Sequence, residues 1–247
     1  SINVELPTQA GLERLAPEKD GVRIEGAMAG MRHAMEDMGE ARRKYRHAPR
    51  FAPAGQSTQM IVGADDASDS AIITRASSLY DRHRLRRVYY SAFSPIPSPS
   101  AVLPLRRPPL LREHRLYQSD WMMRFYGYGA EEVASATDPV TGCLPLDIDP
   151  KLAWALRHRD IFPVDVNRAP REMLLRIPGL GVKAVNRILA SRRHRRLRLD
   201  DVARLTTSIK KLRPFLIASD WRPVQLSDQA DLRSQMTPAP AQLDLFS

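Results

Sequence analysis

Cysteine is almost missing from this chain: Cys143 is the only one in 247 residues. A lone thiol excludes an intramolecular disulfide and cannot by itself hold zinc or an iron–sulfur cluster. It reads as a small, half-buried side chain near a turn. Long apolar runs are lacking as well. None approaches the roughly 18–20 residues that cross a bilayer, and no charged-then-apolar leader precedes the first element, so the expectation is no membrane and a cytoplasmic location. Aromatic residues make up 6% of the chain, and the most basic stretch offers no aromatic platform on which RNA bases would stack, which favours DNA over RNA as a partner. Apolar residues, at 43%, suffice to bury real cores, and the length allows one large or two modest domains.

Acidic residues are scarce in one place. Between 151 and 223 stand 18 Lys and Arg against 6 Asp and Glu, a net +12, whereas 1–150 is neutral and 224–247 carries −2. The whole excess of the chain, +10, thus sits on one segment, the electrostatic footprint of a phosphate-backbone binder. Within it lies Ile177-Pro178-Gly179-Leu180-Gly181-Val182-Lys183-Ala184-Val185. Two glycines two residues apart let the backbone turn with unusual dihedrals and come close to a ligand, while the helix that follows opens with free N–H groups. The preceding Asp165–Pro170 reads as a cap and helix start, and Arg171–Arg176 as the first helix. After Gly181, the residues Val182, Val185, Ile188 and Leu189 recur at helical spacing, leaving Lys183, Asn186, Arg187 and Arg192 on the other face. This stretch resembles the hairpin of helix-hairpin-helix DNA-binding modules. The resemblance implies DNA-backbone contact through Pro178, Gly179, Leu180, Gly181, Val182, Lys183, Arg187 and Arg192, with a monovalent cation at the hairpin. The stretch 197–216 looks like the companion hairpin of tandem modules, but Thr206-Thr207-Ser208-Ile209 stands where a second Gly-x-Gly belongs, so its expected role is support.

The neutral part reads as strand, helices, strand, helix, strand, helix. Strands are expected at Ile2–Leu6, Gln59–Gly63 and Val88–Ser91, and main helices at about Arg23–Tyr45, Ser68–His83 and Tyr117–Tyr126. Such alternation argues for parallel βαβ units. Met28, Met31, Met35 and Met38 fall three, four and three apart and form a stripe expected to face the core. Glu5 ends the first strand, and Gly63-Ala64-Asp65-Asp66 leads from the second into a helix capped at Ser68 or Asp69. Ligands of α/β sheets and barrels gather at such strand ends. Acidic residues at strand ends and caps are equally ordinary structural features.

The runs Ser-Ile-Asn-Val-Glu-Leu-Pro-Thr at 1–8, Gln-Met-Ile-Val-Gly-Ala-Asp at 59–65, Tyr-Tyr-Ser-Ala-Phe-Ser-Pro-Ile at 89–96 and Tyr-Gln-Ser-Asp-Trp-Met-Met-Arg-Phe-Tyr-Gly at 117–127, followed by the hairpin, resemble the C-terminal part of radical S-adenosylmethionine proteins assigned to DNA modification or repair. The resemblance covers about 1–223. It implies an α/β fold: half of a partial TIM barrel at 1–128 carrying its fourth to sixth strands, a linker at 129–150, an all-α helix-hairpin-helix domain at 151–223 and a disordered tail at 224–247. It also implies that Asn3 and Glu5 contact the ribose of S-adenosylmethionine and that Ile61 and Gly63 flank its adenosyl moiety. The Cys-x3-Cys-x2-Cys loop that would hold a [4Fe–4S] cluster is not in this chain. Opening without methionine and at once in a strand pattern, the chain is expected to be a fragment with that loop and three strands upstream, so its own catalysis is uncertain. The alternative is a non-catalytic, nucleoid-associated accessory protein that binds DNA and is tethered to the sliding clamp.

The tail turns to Ser, Gln, Asp, Pro and Ala, too stiff and polar to pack. Its end, Gln242-Leu243-Asp244-Leu245-Phe246, resembles the peptide by which bacterial polymerases and repair proteins dock on the DNA sliding clamp. Leu245 and Phe246 would fill an apolar pocket and Gln242 would make polar contacts.

Overall fold

A computed structural model describes residues 1–96, 101–206, 209–223 and 229–237. The chain is mixed α/β and divides into two compact units, Ser1–Asp120 with Asp138–Leu144, and Trp121–Thr137 with Pro145–Ser247.

The first unit is built on a parallel pair, β1 (Ser57–Val62) and β2 (Arg87–Ala92), in register from Ser57 beside Arg87 to Val62 beside Ala92. Alternation explains both strands: Thr58, Met60 and Val62 turn inward from β1, and Val88 and Tyr90 from β2. Between them runs α3 (Asp69–His83), which starts where Ser68 accepts from the Ala71 N–H at 3.3 Å and ends at Arg84, in the left-handed region with φ 50°. Ser68, then, is the cap. Asp69 is fully buried, and its carboxylate receives Arg112 Nε at 2.7 Å and the Leu144 N–H at 2.8 Å. That bond, with Ser70 N–H to the Gly142 carbonyl at 2.9 Å, holds 138–144 in this unit.

The residues expected as the first strand run beside β1 but form a single parallel bridge, Glu5 to Met60. Ile2 and Glu5 donate to the Ser57 and Gln59 carbonyls, both at 3.1 Å. The run ends because Glu5 takes φ 61° and the Leu6 N–H folds back on the Val4 carbonyl at 2.7 Å, a tight three-residue turn. Two helices follow, α1 (Gln9–Leu15), capped by Thr8, and α2 (Gly21–Lys44), capped by Asp20. The methionine stripe of α2 is only partly in the core. Met28 is fully buried, whereas Met31, Met35 and Met38 are half-exposed, because the C-terminal half of this 24-residue helix has little packed over it.

The last helix of this part, α4 (Leu110–Tyr126), starts seven residues before the expected Tyr117, just past Pro108-Pro109, and the division between units falls within it. Side chains of α3 and α4 finish the sheet. On the β2 edge facing away from β1, the Val88 N–H donates to Tyr80 Oη at 2.9 Å, the Tyr90 N–H to Tyr117 Oη at 3.0 Å and the Ala92 N–H to Glu113 Oε2 at 2.9 Å, while Tyr117 Oη donates back to the Tyr90 carbonyl at 3.0 Å. No further strand is needed to satisfy that edge.

The second unit is mostly helical. The segment read as a linker carries α5 (Ala130–Ala134), whose Glu132 forms a paired contact with Arg176, both oxygens 2.8 Å from guanidinium nitrogens. Then come α6 (Pro150–Arg157), capped by Asp149, β3 (Val164–Asp165), α7 (Arg171–Arg176), α8 (Val182–Ser191), α9 (Leu199–Arg204), α10 (Ile209–Leu212), β4 (Leu216–Ile217) and α11 (Gln229–Met236). The expectation of an all-α domain needs correction: β3 and β4 pair in parallel, because the stretch before α7 and the stretch after α10 are both extended and apolar and lie side by side. Asn167 adds to this by giving and taking one bond with the Leu197 backbone, at 3.1 and 2.7 Å. Trp154, Phe162 and Phe215 stack edge to face in the core, so these aromatic rings are spent on packing.

Candidate nucleic-acid interface

The turn between α7 and α8 is shaped by its two glycines in different ways. Gly179 has φ 85°, and a Cβ there would stand 2.8 Å from Leu212 Cδ1, so the position is closed to other residues by dihedral and by space. Gly181 is the residue that precedes α8; its φ is −102°, and a Cβ would meet only the Tyr126 hydroxyl at 3.5 Å. Pro178 and Leu180 are buried and anchor the turn from below, Gly179 is exposed, and Gly181 and Val182 are half-exposed.

No side chain caps α8. Among the described residues the N–H groups of Gly179, Gly181, Val182 and Lys183 donate to no protein acceptor. Unbonded donors at the positive end of a ten-residue helix favour an anion. Lys183 and Arg187 are exposed one turn apart on the same face, with Asn186 beside them. Val185 and Ile188 are fully buried on the other face.

Arg192 does different work. It ends α8, about 16–17 Å from Gly181 at 1.5 Å per residue, and its Nη1 donates to the Val166 carbonyl at 3.0 Å and the Ala169 carbonyl at 2.7 Å. It braces the loop that leads into α7. Leu212 of α10 packs against Gly179; Thr207 and Ser208 lie outside the described residues.

A residue the sequence pattern did not flag sits beneath the turn. Lys151, in the first turn of α6, is 7% exposed, donates from Nζ to the Leu180 carbonyl at 2.5 Å and lies 4.7 Å from the centre of the Tyr126 ring. Burial pulls its ammonium down to about 7; Asp149 opposes that shift and Arg176 adds to it. Burial first, and Asp149 second, raise the Tyr126 hydroxyl above its ordinary range. The signal available in the sequence was a lone lysine in the otherwise apolar run Leu152-Ala153-Trp154-Ala155.

In the first unit, Glu5 and Ile61 are neighbours, the Ile61 N–H donating to the Glu5 carbonyl at 2.7 Å, and Gly63 follows at the end of β1 with φ 79°. Asn3 is exposed two residues back along the edge. The space a Gly63 side chain would take is filled by Pro108, whose Cγ stands 2.8 Å from the Cβ position, and the Glu5 carboxylate faces Lys19 at 3.9 Å. At Gly63 itself the Cβ direction is thus taken by the Pro108 ring. The one thiol of the given sequence, Cys143, sits on a turn with Sγ 3.6 Å from the Thr141 carbonyl.

The Gln242–Phe246 motif lies outside the described residues. No helix among the described residues is long and apolar enough to cross a membrane. Comparisons with protein-family models, with curated proteins and with solved structures found no match.

Proposed function

We propose that the chain binds DNA through its phosphate backbone, without sequence preference, using the helix-hairpin-helix turn at 177–183. The observation that carries this reading is the turn itself: Gly179 at φ 85° and Gly181 lead into a helix whose first N–H groups meet no acceptor among the described residues, with the exposed Lys183 and Arg187 on the two helical turns that follow. Such donors hold phosphate oxygens and carry no base information, so affinity should be the same on unrelated duplexes and fall steeply with salt. Fluorescence anisotropy on two duplexes of unrelated sequence tests it. Equal affinities that drop together as salt rises support the reading, and a marked preference for one duplex refutes it.

The α/β unit we assign to the C-terminal half of a radical S-adenosylmethionine barrel acting in DNA modification or repair. Support comes from the parallel order of 2–5, β1 and β2 and from the side-chain sealing of the outer β2 edge, where a partial barrel would stop. No chemical step is assigned to a cluster this chain cannot hold. An in-frame Cys-x3-Cys-x2-Cys in the coding sequence upstream of Ser1 would support that assignment; without it the chain stands as a non-catalytic DNA tether. For the tail we propose docking on the bacterial sliding clamp through Gln242–Phe246 in the micromolar range, about −7 to −9 kcal/mol. Unchanged clamp affinity after Leu245→Ala with Phe246→Ala would exclude it.

A further inference from the structure

The Leu180 carbonyl lies between the two glycines of the turn and points inward, where its negative end needs a positive partner. Two groups meet at that spot, this carbonyl at 2.5 Å and the face of Tyr126 at 4.7 Å from Lys151 Nζ, and the Asp149 carboxylate at the start of the same helix adds an attraction from further off. A carbonyl and a ring face in the field of a carboxylate make a cation site. It is filled from within. Lys151 reaches it from the first turn of α6, with Nζ on the oxygen and its four-carbon stem buried in the apolar core.

We propose that Lys151 is the built-in cation of the hairpin: its ammonium holds the turn by the Leu180 carbonyl and takes the place of a monovalent ion drawn from solution. Lys151 is thereby a positioning residue, acting on the ligand through the turn and never touching it. An alkali ion on the same oxygen would meet the ammonium at close range with no counter-charge to spare, because Asp149 also faces Lys211, at 3.6 Å from its Oδ2, and Arg176 adds a further positive charge. The depressed ammonium is the cost of this arrangement. A turn that carries its own cation keeps its shape whatever the ion composition around it.

This inference rests on the hairpin reading for its link to DNA, but its first test does not. The thermal midpoint of the full chain is measured at pH 5.5, well below the folded value near 7 so that Lys151 carries its proton, in potassium chloride and in choline chloride of equal ionic strength, and the binding comparisons below are made at the same pH. The parent should melt at the same temperature in both salts; a clear stabilisation by potassium would mean that a solution ion serves the turn and would overturn the proposal. Lys151→Met keeps the stem and removes the charge. It should weaken binding to a random-sequence duplex about tenfold, and Lys151→Ala, which opens room at the Leu180 oxygen, should recover part of that loss in potassium and not in choline. Parent-like binding by Lys151→Met overturns the proposal. If the parent itself binds no DNA at low salt, the DNA reading fails while the potassium-against-choline comparison still decides the role of Lys151.

Discussion

Single positions in the hairpin separate what shapes the turn from what meets a ligand. Gly179 combines φ 85° with a blocked Cβ direction, so Gly179→Ala should cost about 1–3 kcal/mol of stability through backbone strain alone. Gly181 has an ordinary φ and room for a methyl group, so Gly181→Ala should melt within a few degrees of the parent and weaken DNA binding by obstructing close approach. Circular dichroism melts paired with anisotropy would separate the two effects; a Gly181→Ala protein that is stable and binds like the parent would remove this turn as the contact. Lys151 gives the unit a pH signature. Its folded value near 7 lies below the ordinary 10.5, so between those limits the unfolded chain holds a proton that the folded chain does not, and stability rises with pH across that window. Melts between pH 7 and 9, below the tyrosine range, should show the rise in the parent and a flatter course in Lys151→Met. The groups facing this lysine are Asp149, Arg176 and Tyr126, with Lys211 beyond Asp149. The glycines were legible in the sequence because a Gly-x-Gly is a local signal. Lys151 and the bracing role of Arg192 were not, since both depend on carbonyls brought near by folding, 29 and 23–26 residues away along the chain.

Among the elements, β1, α3 and β2 were readable because each repeats its period over a whole length, two for the strands and 3.6 for the helix. The first seven residues alternate as well, yet they make only one bridge, since alternation reports a buried face and not a hydrogen-bonded partner. The same distinction applies to α2, where spacing placed four methionines in line but could not say how much of the line is covered. Met28→Ala should therefore cost about 2–5 kcal/mol and Met38→Ala far less, as urea denaturation would show. Equal losses would mean that the exposed half of α2 is covered in solution. The sealed edge of β2 makes a sharper prediction. Tyr117→Phe keeps the ring and deprives the buried Tyr90 backbone of both its N–H acceptor and its C=O donor, a loss of about 1–3 kcal/mol for a single oxygen atom. The seal itself was beyond reach of sequence, because it joins residues on three elements.

For the molecule as a whole, charge and architecture agree. The net +12 of 151–223 coincides with the mostly helical second unit, and the neutral 1–150 falls largely on the α/β unit. The first unit runs to Asp120 and takes in Asp138–Leu144, while Glu132, tied to Arg176, and Tyr128, packed edge to face on Trp154 at 5.1 Å, belong to the second. The half-barrel and the clamp peptide stay proposals on their own tests. The central claim is backbone recognition by the hairpin, and the most direct measurement is the salt dependence of DNA binding by the full chain, parent against Lys183→Ala with Arg187→Ala. If each side chain neutralises one phosphate, the slope of log affinity against log salt should shrink by about 0.9 per lost contact, or about 1.8 for the pair, equally on any duplex sequence. An unchanged slope, or a loss confined to one sequence, would contradict the account.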